Sequence, residues 1–300
     1  MSKTITLYEN FRALFYAPFY LAFEIGAFEA EGVAVALGES NTPGEGAKAS
    51  LERDDAISWG GPMRVLHFHD QDPTSDLVCF CEVVGGDPFH IIGREPKPNF
   101  TLSDLTTCRF GNFIEAVTPW LCLQEDLRRE GIDPDSLERT SDNSVPENMA
   151  DFKAGTLDAV QLLEPYAEML LETGDAHLWF EASSRGPCAY TSYYTKRQLL
   201  DDRADELQAM TTAMAKTLDW THSHSAEDLA KAIGGYFPDF SQDLMARSLA
   251  RYKKGNIWNE TPTLNVQGFE RLRAGLLSGG LISREIPYDE IVDMRFVATK

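Results

Sequence analysis

Tyr16 to Val33, YAPFYLAFEIGAFEAEGV, is the stretch on which the reading of the whole chain turns. Ala17 to Ala30 has the composition of a buried helix, and Gly32 follows as a turn signal. Before it, Thr4 to Tyr8 (TITLY) reads as a short strand. After it, Val33 to Leu37 (VAVAL) is a fully apolar strand of the kind that parallel sheets bury on both faces. Strand, helix and strand make a first β-α-β unit. The stretch also mimics an export signal, because Ala13 to Phe23 is apolar and Ala27-Phe28-Glu29-Ala30 resembles a cleavage site. A secretory leader starts basic and structureless, whereas here a strand comes first and Glu9 and Arg12 interrupt. An eleven-residue apolar run is also too short to span a bilayer, so no membrane insertion is expected. Read as it stands, the chain carries no export signal and is expected in the cytoplasm. A trimmed mature form would read the same way and be periplasmic.

Outward from this unit the alternation continues. Gly44 to Glu52 forms a helix after the Asn41-Thr42-Pro43-Gly44 break, Asp55 to Ser58 a strand, and Gly60-Gly61-Pro62 opens a helix through His69. Leu77 to Val84 and Pro88 to Gly93 are strands separated by Gly85-Gly86-Asp87. Arg94-Glu95-Pro96-Lys97-Pro98-Asn99 reads as a linker. A second α/β pattern follows: a strand from Thr107 into Gly111-Asn112-Phe113, helices at Thr118 to Glu130 and Pro146 to Ala154, and a strand at Ala159 to Leu163. Glu164-Pro165-Tyr166 starts another helix, and His177 to Phe180 and Ala189 to Thr195 are strand-like. Helices near Gln198–Trp220, Ala226–Ile233, Ser241–Arg251 and Val266–Ser278 close the chain. The pattern predicts an α/β protein of two lobes, each a doubly wound sheet flanked by helices with sites at its carboxyl edge. Residues 1–97 are expected to begin lobe 1, 98–186 to make lobe 2, and 187–300 to return to lobe 1 as its helical part.

The 300 residues are 43% hydrophobic, enough for a large core, which excludes disordered and disulfide-scaffold classes. A net charge of −20 repels phosphate backbones and anionic headgroups, so no nucleic acid is expected among the partners. The five cysteines include no CxxC pair, and their odd number suits free buried thiols of a reducing compartment.

Candidate chemistry is sparse. His67-Phe68-His69-Asp70 and His222-Ser223-His224 offer metal-ligand types, but residues two apart on a helix point to opposite sides, and a helix C-terminus equally favours imidazolium. No metal site or cofactor is expected. Nucleophile elbows, phosphate loops and kinase signatures are missing. Cys188, after Gly186-Pro187, is either a nucleophile awaiting a histidine or a packed thiol. Glu164 is either a ligand carboxylate at a strand's carboxyl end or the acid that opens a helix. Arg12, Arg64 and Arg185 lie in loops or helix starts that converge on a cleft, where a guanidinium holds a carboxylate, sulfonate or phosphate through two parallel hydrogen bonds. Gly111-Asn112-Phe113 adds free backbone N–H groups at a strand end.

The motif Tyr16-Ala17-Pro18-Phe19-Tyr20-Leu21-Ala22-Phe23-Glu24-Ile25-Gly26-Ala27-Phe28-Glu29-Ala30-Glu31-Gly32-Val33 resembles the opening of type II periplasmic-binding-protein-like chains. Within them it is most similar to binding proteins for thiamine-pyrimidine precursors, alkanesulfonates and nitrate, and to the related fungal pyrimidine synthase. Asp55-Ala56-Ile57, Arg109 to Phe113 and Gly155-Thr156-Leu157-Asp158-Ala159 before Glu164-Pro165-Tyr166 follow in the family's order, over about residues 4–200. The resemblance implies two lobes that close on a ligand by hinge motion. The synthase requires a lysine for pyridoxal phosphate, a histidine four residues on, and a cysteine-rich run. Here those positions are Trp59 and Met63, and Cys188 alone represents the run. The binders' ligand-loop Asn-Trp aligns with Glu9-Asn10.

The expected function is therefore capture of a small polar or aromatic molecule, pyrimidine-like or anionic, without catalysis, for an ABC-type uptake system whose permease would be the partner. Trp59 and Phe113 would contact its ring. Asn10, Arg12, Asn112 and Glu164 would orient its polar edges, with Tyr16, Gly60, Arg64, Gly111, Arg185 and Cys188 completing the contacts. The alternatives are a cytoplasmic enzyme or a ligand sensor on the same scaffold, related to thiamine pyrimidine biosynthesis.

Overall fold

The computed structural model describes residues 4–40 and 43–298. Asn41 and Thr42, part of the break read before Gly44, lie outside the described residues. The first lobe holds strands β1 (Ile5–Tyr8), β2 (Val35–Gly38), β3 (Ala56–Gly60) and β4 (Leu77–Val84). The second holds β5 (Phe89–Gly93), β6 (Arg109–Phe113), β7 (Glu138–Asn143), β8 (Ala159–Leu163) and β9 (His177–Glu181), and β10 (Thr191–Lys196) lies back in the first. The sheet orders are β2-β1-β3-β10-β4 and β7-β6-β8-β5-β9. Both are mixed: β1, β2 and β3 pair in parallel, as do β6, β7 and β8, while β10 and β5 run antiparallel to their neighbours.

The motif that opens the chain folds as two helices, Ala17–Glu24 and Ala27–Ala30, not one. Gly26 separates them at φ +64°, a conformation that a side chain with a Cβ resists. Phe19, Tyr20 and Leu21 are wholly buried, as its apolar composition requires. VAVAL, in contrast, ends in an edge strand, and β2 is only half covered. The long helix read over Gln198–Trp220 is broken at Arg203 into Arg197–Asp202 and Ala204–Ser223.

The chain crosses between the sheets twice, between Val84 and Phe89 and between Glu181 and Thr191. The strand at 89–93, read with the first lobe, pairs with β8 and β9 in the second. Gly85-Gly86-Asp87-Pro88 is thus the first crossing, and the proline-rich stretch at 94–99 is a surface loop of the second lobe. A connection this short changes sheets without any mark in composition. The crossings bind each other: Cys188 N donates to Gly85 O (2.9 Å) and Tyr190 N to Val84 O (3.0 Å).

Two C-terminal helices strap the lobes together from behind. Gln242–Lys254 places Arg251 Nε 2.7 Å from Glu164 Oε1, and Arg247 Nε 2.7 Å from Glu168 Oε1, both carboxylates of the second lobe. Just beyond it, Trp258 Nε1 donates to Phe15 O in the first lobe (2.8 Å). Val266–Ser278 lies against the second-lobe helix Thr118–Arg129 at backbone contact, where a Cβ on Gly275 would stand 2.9 Å from Leu121 O.

Buried titratable groups tie stability to pH in opposite senses. Glu82 on β4 is fully buried, accepts from Asn259 Nδ2 (2.8 Å), and leaves Oε1 without a partner. Burial pushes its pKa up to about 8. The folded chain therefore holds a proton that the unfolded chain releases near pH 4.5, and stability drains away as pH rises from there to 8. Glu82→Gln is expected to flatten this dependence and to raise the Tm at pH 8 by about 3–5 °C over the parent. Melting curves at pH 5 and 8 check it. His90, whose pKa burial pushes down to about 3, acts the other way and costs stability as pH falls below its ordinary value of 6.5.

Candidate functional site

Between the lobes, in front of the crossings, lies a cleft of about 430 Å³. The first lobe contributes Asn10, Phe11, Phe15 and Tyr16 from the loop after β1, and Gly61, Met63, Arg64 and His67 from the helix Pro62–Gln71. The second contributes Phe89 and the loop Ile114 to Thr118 after β6, and Tyr190 comes from the second crossing. Ile114 is 59% exposed and Val117 48%, apolar surface left uncovered at the cleft mouth. The helices Pro62–Gln71 and Thr118–Arg129, one per lobe, both begin at the cleft with no acidic residue in their first turns, so their positive dipole ends face it.

Three polar atoms of the cleft residues are buried and have no partner among the described residues: Arg64 Nε, Tyr190 Oη and Asn10 Oδ1. Buried polar groups in a folded chain are almost always bonded, so unpaired ones collected in a cleft mark where a guest supplies the partners. Arg64 forms no ion pair among the described residues, although the chain carries a net charge of −20. Asn10 Nδ2 donates to Tyr16 Oη (3.3 Å), and burial holds the Tyr16 phenol neutral by pushing its pKa up. Glu115 is already occupied, because its Oε1 accepts from Val145 N (3.0 Å) at the next helix start. His67 Nδ1 meets Leu281 O at 3.2 Å, so Nδ1 donates to that carbonyl.

Of the residues singled out in the sequence, Asn10, Tyr16 and Arg64 line this cleft. Asn112 and Phe113 stand one step away, in an adjoining groove. The others are elsewhere, each for a physical reason. Arg12 bonds Glu9 Oε1 (2.7 Å) and reaches Tyr236 O, away from the cleft. Trp59 is a core residue, 0% exposed, stacked on Phe19 at 4.8 Å and edge-on to Tyr20, because β3 is covered on both faces. Gly60 lies under the Tyr194 ring, and Gly111 faces Asn148 and Leu157. Glu164 is fully buried at the rear, held by Arg251. Arg185 is buried between Asp87 and Asp126, whose Oδ2 is 2.5 Å away. Cys188 Sγ lies 3.8 Å from Cys122 Sγ, and this neighbour and burial push its pKa well up, so it remains a thiol. The remaining three cysteines are buried as well.

Among the described residues no cluster of His, Cys, Asp and Glu could hold a metal ion. His69 is buried against Leu77 O (2.8 Å), and His224 stacks on Trp220 at 3.9 Å. No described helix is long and apolar enough to cross a membrane. Sequence reading passed over Phe11, Phe15, Phe89, Tyr190 and the apolar loop Ile114 to Val117. The loop did carry a signal, namely apolar residues between a strand end and a helix start, where a surface loop is ordinarily polar.

Residues 15–228 match the family model described as NMT1/THI5 like. YtlA of Bacillus subtilis (strain 168), which carries a binding-protein name, is 28% identical over 286 residues, spanning 94% of this chain and 85% of that one. The periplasmic aliphatic sulphonate binding protein SsuA of Escherichia coli superposes with a TM-score of 0.76 at 15% identity, covering 95% of this chain and 96% of its own. DszB, solved as a mutant in complex with biphenyl-2-sulfinic acid, superposes at 0.71 and 15% identity, covering 98% and 97%. The fold is the two-lobed binding-protein fold, on which a desulfurization enzyme is also built.

Proposed function

This chain belongs to the NMT1/THI5-like family, and we propose that it is a solute-binding protein that holds a small anionic molecule in its inter-lobe cleft and releases it unchanged, feeding an ABC-type importer. The observation that carries this reading is the Arg64 guanidinium, which has no ion-pair partner among the described residues and whose Nε is unsatisfied. Arg64 and the two helix dipoles favour negative charge, and Phe11, Phe15 and Phe89 form apolar walls that fit an organic body on that charge. Asn10 Oδ1 would accept from a hydroxyl or amine of the guest. SsuA and YtlA, both named as binding proteins, support the assignment.

The enzymatic reading draws on DszB. Against it stands the lining, which among the described residues contains no cysteine and no base paired with a nucleophile. Calorimetric titration with a panel of organic carboxylates, sulfonates and phosphates is expected to give saturable binding, and mass spectrometry should recover the bound compound intact. Turnover of a bound compound would overturn the reading in favour of an enzyme.

A further inference from the structure

Beside the main cleft is a second hollow of about 380 Å³. The two share Ile114, Val117 and Leu281, so they adjoin across these apolar residues. Arg139, on the polar edge strand β7, stands at the far end with its guanidinium 4.1 Å over the Trp120 ring. Nη1 donates to Asn112 Oδ1 (2.5 Å), which is the one hydrogen bond its guanidinium forms among the described residues. No carboxylate lies within ion-pair distance of it among those residues, whereas Arg12, Arg109, Arg185, Arg251 and Arg295 are all engaged by acids. A guanidinium has five N–H donors. Asn112 fixes the group and Trp120 covers one face, leaving N–H groups free for an acceptor.

We propose that this hollow is the second half of the ligand site, taking the far anionic end of an elongated guest whose first anionic group sits at Arg64 and whose apolar spacer lies across Ile114, Val117 and Leu281. The proposal rests on the reading of the cleft as an anion site and narrows it to a substrate class: two acidic groups joined by a hydrocarbon or aryl spacer. It accounts for the two exposed apolar residues of the 114–117 loop, which a compact anion at Arg64 alone would leave uncovered. Cation–π contact with Trp120 holds Arg139 flat, so that a carboxylate or sulfonate meets it edge-on through paired hydrogen bonds.

The test compares α,ω-dicarboxylates and α,ω-disulfonates of four to eight carbons with monoanions of the same lengths, by calorimetry and by Trp fluorescence. Affinity of the dianions is expected to peak at one length and to exceed that of the matching monoanion by about tenfold or more. Arg139→Leu should erase that advantage and Arg139→Lys should restore part of it, with melting curves taken to show that each variant is folded. Binding that depends on Arg64 but not on Arg139 or a second acid group overturns the two-ended site and leaves the anion cleft standing. Binding indifferent to Arg64, or none by any probe, overturns both.

Discussion

Arg64→Leu is expected to weaken binding of any anionic guest by about 100-fold or more while shifting the Tm by less than about 2 °C. The size follows from what the guanidinium would do: a charge-assisted pair in a water-poor cleft contributes roughly 1.5–3 kcal/mol, and its loss also leaves a buried anion without a counter-charge. The small effect on folding follows from the absence of any ion pair at Arg64 among the described residues, so leucine breaks none. Removing an arginine that already serves the fold would do the reverse. Arg64→Lys keeps the charge but not the fork, and is expected to recover affinity only in part. Titrations of the three proteins beside their melting curves decide it. Equal affinity in parent and leucine variant would mean that the cleft's cation plays no part.

Arg185→Ala shows the contrast. Arg185 is 5% exposed and lies between Asp87, 0% exposed in the first crossing, and Asp126 on the Thr118–Arg129 helix. Its removal strands two carboxylates in an interior where burial already pushes the Asp87 pKa up. Loss of one partner from such a cluster costs about 3–5 kcal/mol, a fall in Tm of about 10 °C for a chain of this size. The double variant Arg185→Leu with Asp87→Leu should recover much of the loss, since paired removal takes away the buried charge as well. A single variant as stable as the parent would show that the cluster is hydrated and not a buried lock.

These two arginines also show what sequence can and cannot disclose. Both were read as anion holders near a cleft, on the same ground of position in a loop or at a helix start. The carboxylates that claim Arg185 come from positions 87 and 126, distant in sequence and adjacent only once the crossings pair. No carboxylate of the described residues pairs with Arg64. Trp59 failed for a related reason. The sequence marks a strand at Asp55 to Ser58 that stops short of Trp59, and a strand buried on both faces gives no hint of which face meets helices and which meets the cleft. Elements with strong patterns, such as β4, β8 and the helices Ala226–Ile233 and Val266–Ser278, fell at the boundaries read for them. Strand β7, ERTSDN, went unread because it is a polar edge strand with no alternation. Its Arg139 was missed with it.

The close seating of Val266–Ser278 on Thr118–Arg129 has a mechanical corollary. At Gly279 an added carbon would sit 1.9 Å from Gln124 Nε2, so the Gln124 side chain already fills the gap and leaves no room for a second one. A joint of that kind sets a fixed gauge at the rear of the jaw. An opening of the jaw would on this ground be a tilt about that contact and not a parallel spreading.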